Sequence, residues 1–288
     1  MNEETESLTL RSKIEKNVFW MAEVEIIIPF HGEHTKVTKL VEAIFNTVYS
    51  NKYLITLVDD ASVNKSFVKQ LQNAKIPGVR CFRLEEQKGF GAAVNHALKN
   101  PWRFPYEPNK KIKYVCILHS DSCPEDNYWL FEMGSSLERL RLDGIKMVGS
   151  ATNNSTTNFK NLTKEKGSKK EDYILQQDEY LPMYSCLCNR ELFNRIGLLK
   201  EFPYAGTEVR EFANRMKENN YLQAVCGKSW MSHEGKGTLK NLEKNKRIQK
   251  ILRNAELEFE ESLKKEEPST INTTDSNSII QEEIKYEM

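Results

Sequence analysis

Residues 24–32 read VEIIIPFHG. Val24 to Pro29 is an apolar run rich in β-branched residues, which predicts a strand buried on both faces. Downstream, Val37, Leu40, Val41, Ile44, Phe45 and Val48 recur with the spacing of one helix face. Tyr53 to Val58 (YLITLV) predicts a second strand, closed by a turn at Asp59-Asp60. Phe67, Val68 and Leu71 mark a short helix, and Val79 to Leu84 alternates like a strand. Gly89 to Lys99 (GFGAAVNHALK) reads as a loop entering an alanine-rich helix, and Tyr114 to Leu118 (YVCIL) as another buried strand. This alternation predicts an α/β domain with a mostly parallel sheet flanked by helices. In such sheets ligands bind outside the carboxyl ends of the strands.

The later chain is less regular. The sequence predicts a helix over Pro124 to Leu142, a short strand at Met147 to Ser150, and a polar, mobile loop over the site at 151–178. Regular structure is expected again at Tyr180 to Cys188, Arg190 to Ile196 (helix), Glu208 to Asn219 (helix) and Tyr221 to Val225 (strand). Four regions follow: a polar extension at 1–22, one α/β domain at 23–238, a charged amphipathic helix at 239–267 and a disordered tail at 268–288. Leu242, Ile248, Ile251, Leu252, Ala255, Phe259 and Leu263 form the apolar stripe of that last helix. It is expected to pack on the domain or to pair with another copy as a homo-oligomer.

Composition narrows the function classes. The 288 residues suit one large α/β domain with a tail. Lys and Arg total 42 against 41 Asp and Glu, so no global field grips a nucleic-acid backbone. Local basic stretches remain at Asn109 to Lys113 and Lys244 to Lys250. No apolar run reaches the roughly 18 residues of a membrane span, and Met1 to Ala22 lacks a signal-peptide core. A cytoplasmic protein is expected, with Cys81, Cys116, Cys123, Cys186, Cys188 and Cys226 as buried thiols.

Chemistry-bearing residues gather at the predicted strand ends. Asp59 and Asp60 could accept hydrogen bonds from a ribose or a base; the same pair also serves as a turn or helix cap. Gly89 and Gly91 open a helix and let backbone approach a phosphate, with Asn95 in the first turns; a merely packed loop fits equally. His119, Ser120 and Asp121 follow a buried strand, and residues 119 and 121 share a side. Two such ligands suit a divalent cation on a diphosphate, or a polar turn. His233 lies among glycines, and Glu208 and Glu211 begin a helix, where acids are common.

Each signal is weak alone, but their order resembles family 2 glycosyltransferases of the GT-A fold, a Rossmann-like architecture. The resemblance covers roughly Val24 to Gly237. VEIIIPFHG resembles the family's opening strand, VDDAS its nucleotide-binding turn, and KGFGAAVNHAL its Gly-rich helix start. LHSDSCP stands where the family has D-x-D, and CLCNRELFNRIGLL is similar to the next strand–helix segment. EVREFANRMKENNYLQAV resembles the E-D-x-D-L-x-x-R helix, and MSHEGKG the late His-Gly segment. His119 replaces the first acid of D-x-D. Val209 replaces an Asp that is often the general base. Aligning on Arg215 puts Glu208 on the motif's Glu and Glu211 on its second Asp; a one-residue shift puts Glu208 on the missing Asp.

The resemblance implies inverting transfer of a sugar from a nucleotide diphosphate, foremost a UDP-sugar. Donor contacts are implied at Pro29, Phe30, Asp59, Asp60, Lys88, Gly89, Gly91, Asn95, His119, Ser120 and Asp121. Asp121 and His233 would hold Mn²⁺ or Mg²⁺. Glu208 is the implied base, with Glu211 the second candidate. Thr207 as N-cap and the helix-start amides are expected to keep Glu208 ionised. The acceptor stays open among a glycan, a lipid-linked sugar, a protein and a modified base. A glycosyltransferase-like binding protein without catalysis is the main rival, favoured by His119 and Val209. A sugar nucleotidyltransferase would need a Gly-rich basic loop after the first strand, where this chain has Phe30-His31-Gly32-Glu33. A dinucleotide fold is disfavoured by Val94 at the third glycine position.

Overall fold

The VEIIIPF run is β1 (Val24–Phe30) in a computed structural model that describes residues 23–47, 53–104, 110–152, 171–202 and 207–234, with positions 257 and 261. β1 pairs in parallel with β2 (Tyr53–Asp59) on one side and β4 (Tyr114–Leu118) on the other. β3 (Val79–Arg83) extends the parallel half beyond β2. The other half contains β5 (Ser122–Pro124), β6 (Ile145–Thr152), β7 (Tyr173–Ile174), β8 (Ser185–Asn189) and β9 (Leu222–His233). The nine-stranded sheet runs β3-β2-β1-β4-β8-β6-β9-β5, with β7 on β9. β8 lies antiparallel to both β4 and β6, while β6 and β9 are parallel. Strand–helix alternation therefore accounts for the first half, and the sheet as a whole is mixed.

Because side chains alternate across a strand, β1 supplies two cores. Ile27 joins Val58, Val115 and Ile117 on one face. There they meet α3 (Phe90–Lys99), α5 (Glu191–Ile196) and α6 (Thr207–Glu218). Ile26, Ile28 and Phe30 face the other way, onto α1 (His34–Thr47), α2 (Lys65–Ala74) and α4 (Trp129–Arg139). The α1 face is narrower than its spacing predicts: Val37, Leu40, Val41 and Ile44 are buried, but Phe45 is exposed. Truncating a fully buried Ile such as Ile27 to Ala would cost about 2–5 kcal/mol.

Glu25 interrupts the apolar run and is wholly buried. Its Oε1 accepts from Thr56 Oγ1 at 2.6 Å and Arg80 Nη2 at 2.8 Å, and its Oε2 from Arg190 Nη1 at 2.7 Å. A buried charge persists only with such partners. This network sits at the amino end of β1, away from the ligand-binding edge.

Three expectations about the later chain need correction. The helix expected from Pro124 starts at Trp129, because Ser122–Pro124 is a strand on the end of β9. The strand expected to stop at Val225 continues to His233. Its register jumps between the Ser150–Cys226 and Ala151–Trp230 pairs, so residues 227–229 bulge and the ladder resumes beyond them. Within the loop expected at 151–178, Tyr173–Ile174 is strand β7, paired with Val225 and Ala224. Residues 153–170, the extension at 1–22, the tail at 268–288 and, apart from positions 257 and 261, the helix at 239–267 lie outside the described residues.

Candidate functional site

The carboxyl end of β2 delivers Asp59 and Asp60, and neither carboxylate is idle. Asp59 is fully buried; it accepts from the backbone N–H of Ser62 at 3.0 Å and from the Ser62 hydroxyl, and it pairs with Arg83. Arg83 also donates to the Ser62 carbonyl at 2.7 Å, locking the turn. Asp60 accepts from the amides of Lys88 at 2.7 Å and Gly89 at 2.8 Å. Burial pushes the Asp60 carboxyl above its ordinary value, and the two amides offset this only in part. Phe30 is buried at the end of β1, edge-on to Phe67 and His34, and Pro29 pairs with Val58. The Lys88 side chain is exposed and meets Glu86 at 3.2 Å.

Gly89 takes φ 92° at the start of α3, a conformation that disfavours a side chain. Gly91 is demanded by space: a Cβ there would stand 2.6 Å from the carbonyl oxygen of Lys200. Asn95 is buried in the same contact. Its amide donates to the Leu199 carbonyl at 2.8 Å and to Glu201 at 3.1 Å, and accepts from the Leu199 N–H at 3.1 Å. Gly91 and Asn95 thus seat the 199–201 segment on α3.

Beyond β4 the chain turns tightly, with Ser122 N–H donating to the His119 carbonyl at 3.1 Å. Register pairs Ser122 with His233, so the end of β9 lies beside this turn. Glu234 N–H donates to the Asp121 carbonyl at 3.2 Å and fixes the junction. His233 Nε2 then lies 3.1 Å from Asp121 Oδ1. Ligand atoms of His119, Asp121 and His233 all fall within 4.8 Å of one another. Tyr184 stacks on His233 with centroids 4.9 Å apart, and Phe90 of α3 meets His119 edge-on at 4.9 Å. Ser120 donates to Glu33 at 3.2 Å.

Electrostatics suits these donors to a cation. Burial, reinforced by His233, pushes the His119 imidazole down to about 4, so it is neutral at pH 7 with a lone pair to offer. Burial alone would raise the Asp121 carboxyl. The hydrogen bond and charge of His233, with His119 and Lys36, outweigh it and hold the group below its ordinary value. A divalent metal fits this set: two imidazoles and a carboxylate are common ligand types. Bonds of about 2.1 Å place neighbouring ligand atoms about 3–4 Å apart, within a small side-chain rotation of the arrangement seen.

Glu208 in the first turn of α6 and Glu211 one turn later have different roles. Glu208 is buried, and its Oε2 has no hydrogen-bond partner among the described residues. Burial pushes its carboxyl up to about 8, against the weaker pull of its own backbone N–H. The expectation that helix-start amides keep it ionised is therefore overturned; desolvation wins. Its Cγ lies 3.6 Å from the position of a Cβ on Gly91, so α3 borders Glu208 at Gly91 and His119 at Phe90. Glu211 has both oxygens on Arg215, at 2.7 and 2.8 Å, and Lys200 at 3.5 Å. Arg215 in turn donates to the Leu198 carbonyl at 2.7 Å and to that of Ile196. Val209 is buried in the core.

The model for glycosyl transferase family 2 matches residues 25–197, more than half of the chain. The chain belongs to glycosyl transferase family 2. Solved structures agree on the GT-A fold. A mannosyltransferase from Pyrobaculum calidifontis, solved with GDP-Man and Mn²⁺, superposes with TM-score 0.55 at 16% identity, over 75% of this chain and 58% of its own. GalNAc-T7 with UDP, GalNAc and Mn²⁺ gives 0.54 at 15%, over 74% and 43%. S. aureus TarS 1-349 with UDP-GlcNAc gives 0.54 at 14%, over 74% and 59%. This family 2 chain thus spans about half the length of these proteins. No curated protein sequence matches it significantly.

Of the residues singled out by sequence, the fold unites His119, Asp121 and His233, and sets Glu208 against the same helix start as His119. It gives Asp59, Asp60, Asn95 and Glu211 partners within the protein. Arg83, Tyr184, Phe90 and Lys200 were not anticipated. The Arg and Lys carry no local pattern, and the two aromatics look like ordinary core.

Proposed function

We propose that this family 2 chain is a metal-dependent inverting glycosyltransferase acting on a nucleotide-diphosphate sugar, foremost a UDP-sugar. The observation that carries the reading is the convergence of His119, Asp121 and His233 at the carboxyl edge of the sheet, where this class of fold binds ligands. The three residues would hold Mn²⁺ or Mg²⁺. A divalent ion there would offset the charge that develops on the departing diphosphate.

The chain's own residues supply the rest. Asp60 ties Lys88 and Gly89, and Asp59 ties Ser62 and Arg83, so these acids shape the donor loops from beneath. Glu208 is the base. An acceptor hydroxyl attacks the anomeric carbon, the bond to the diphosphate oxygen breaks, and the hydroxyl proton passes to the ionised form of Glu208. Glu211 and Arg215 hold the 196–198 carbonyls in place instead of acting on the proton. The acceptor is a glycan, lipid-linked sugar, protein or modified base, and a cytoplasmic setting is proposed. Among the described residues no helix is long and apolar enough to cross a membrane.

Val209 in the core favours one second reading, a donor-binding protein without transfer. The two are separated by incubating the full chain with UDP-sugars, GDP-mannose and Mn²⁺, and measuring released nucleotide diphosphate. Release that disappears in Asp121→Ala supports the transferase. Binding without release supports the second reading, and release unaffected by Asp121→Ala sinks the metal role.

A further inference from the structure

We propose that His119, Asp121 and His233 form a three-ligand, nitrogen-rich centre that takes up a divalent transition metal before any nucleotide arrives and discriminates against Mg²⁺. The proposal rests on the metal site argued above and names its selectivity and its order of loading.

The geometry unites three protein donors that the sequence suggested only as two separate pairs, His119 with Asp121 and Asp121 with His233. The tight turn after β4 carries His119 and Asp121, and the β5–β9 register brings His233 to them. All three donor atoms lie within 4.8 Å of one another. Both rings are held by aromatic neighbours: Tyr184 lies on His233 with planes 17° apart, and Phe90 meets His119 at 69°. The His119 and His233 centroids are 5.7 Å apart. Rings held in this way lose little further freedom on binding, so the site needs no diphosphate to assemble it.

The donor chemistry sets the preference. Imidazole suits Co²⁺, Zn²⁺ and similar ions, whereas Mg²⁺ favours carboxylates and water and gives up its own waters reluctantly. An acid at position 119 would make the set two carboxylates and one imidazole. His119 removes a negative charge and an oxygen donor together. Both changes weaken Mg²⁺ more than Mn²⁺ or Co²⁺. Three ligands leave further coordination positions for the oxygens of an arriving diphosphate.

The test is titration of the nucleotide-free, chelator-stripped full chain with CoCl₂, MnCl₂ and MgCl₂ by calorimetry, with visible absorption following Co²⁺. One Co²⁺ should bind more tightly than Mn²⁺, and Mn²⁺ at least about tenfold more tightly than Mg²⁺, with altered Co²⁺ bands. His119→Ala should weaken Co²⁺ by about 10–100-fold or more, since even outer-shell changes reach that size. His119→Asp should narrow the gap between Mn²⁺ and Mg²⁺. Circular dichroism checks that each variant folds, and His119→Gln replaces any that does not. Equal affinity for Mg²⁺ and Mn²⁺, binding only with UDP added, or Co²⁺ affinity unchanged in His119→Ala would overturn the proposal. A chain that binds Co²⁺ as described yet releases no nucleotide from any donor sinks the transferase reading and leaves the centre standing. Turnover with Mg²⁺ as effective as Mn²⁺ does the reverse.

Discussion

A Cβ placed on Gly91 would stand 2.6 Å from the carbonyl oxygen of Lys200 and 3.6 Å from Cγ of Glu208. The first contact is with backbone, which cannot swing aside. Gly91→Ala should therefore shift the 199–201 segment and lower stability by about 1–3 kcal/mol, the range of overpacking. Gly134 in α4 is the control, with nothing within 4 Å of its added Cβ. Gly134→Ala should gain up to about 1 kcal/mol from helix propensity. Paired denaturant melts check both, and a Gly91→Ala chain as stable as the original would refute the contact.

Glu211 and Arg215 form a two-point pair beneath the 196–198 carbonyls. Removing one partner strands a largely buried charge, so Glu211→Gln should cost about 3–5 kcal/mol. Nucleotide release per folded molecule should fall far less than in Glu208→Gln. The comparison of melting temperature with release rate reads this directly; the opposite ranking would move the base to Glu211.

How much of this was legible depended on whether the pattern was local. β1, β2 and β4 are buried on both faces, so their β-branched runs announce them. Even there Glu25 passed unnoticed, because its partners Arg80 and Arg190 come from distant segments. Ser122–Pro124 has no strand pattern; it becomes one only because the turn at His119 lays it beside β9. The order of motifs pointed to Asp121 and His233. His119 was readable as the neighbour of Asp121 on the strand end, but its meeting with His233 was not, since three donors converge only after two strand ends meet. For Asp59 and Asp60 two readings stood open, ligand or turn. The choice rests on Arg83 and the amides of Lys88 and Gly89, which only the packed chain brings near.

Asp121 sits where its loss should be felt in binding and little in folding. Asp121→Ala removes the carboxylate that His233 contacts at 3.1 Å but no core side chain. Mn²⁺-dependent affinity for UDP should fall by at least about tenfold, the low end for disturbed metal sites, while the melting temperature moves only slightly. Fluorescence titration with UDP, with and without Mn²⁺, gives both values. Unchanged affinity in Mn²⁺ would remove Asp121 from the metal.

Glu208 ties pH to both stability and rate. Its carboxyl lies at about 8 in the fold against an ordinary 4.5. Above pH 4.5 the unfolded chain releases a proton that the folded chain keeps, so stability declines as pH rises from about 4.5 to about 8 and then levels. In Glu208→Gln this share of the slope should vanish, and the variant should gain on the original most clearly above pH 8. The rate should run the other way. Only ionised Glu208 accepts the acceptor proton, so turnover should rise with pH through about 8 and then flatten. Glu208→Gln should keep donor binding, lose about 10²–10⁴-fold in turnover and show no such rise. Melts and nucleotide release measured from pH 5 to pH 9.5 test both arms. If the original is already flat above pH 6, the proton goes elsewhere and Glu208 is a buried acid with no part in the transfer.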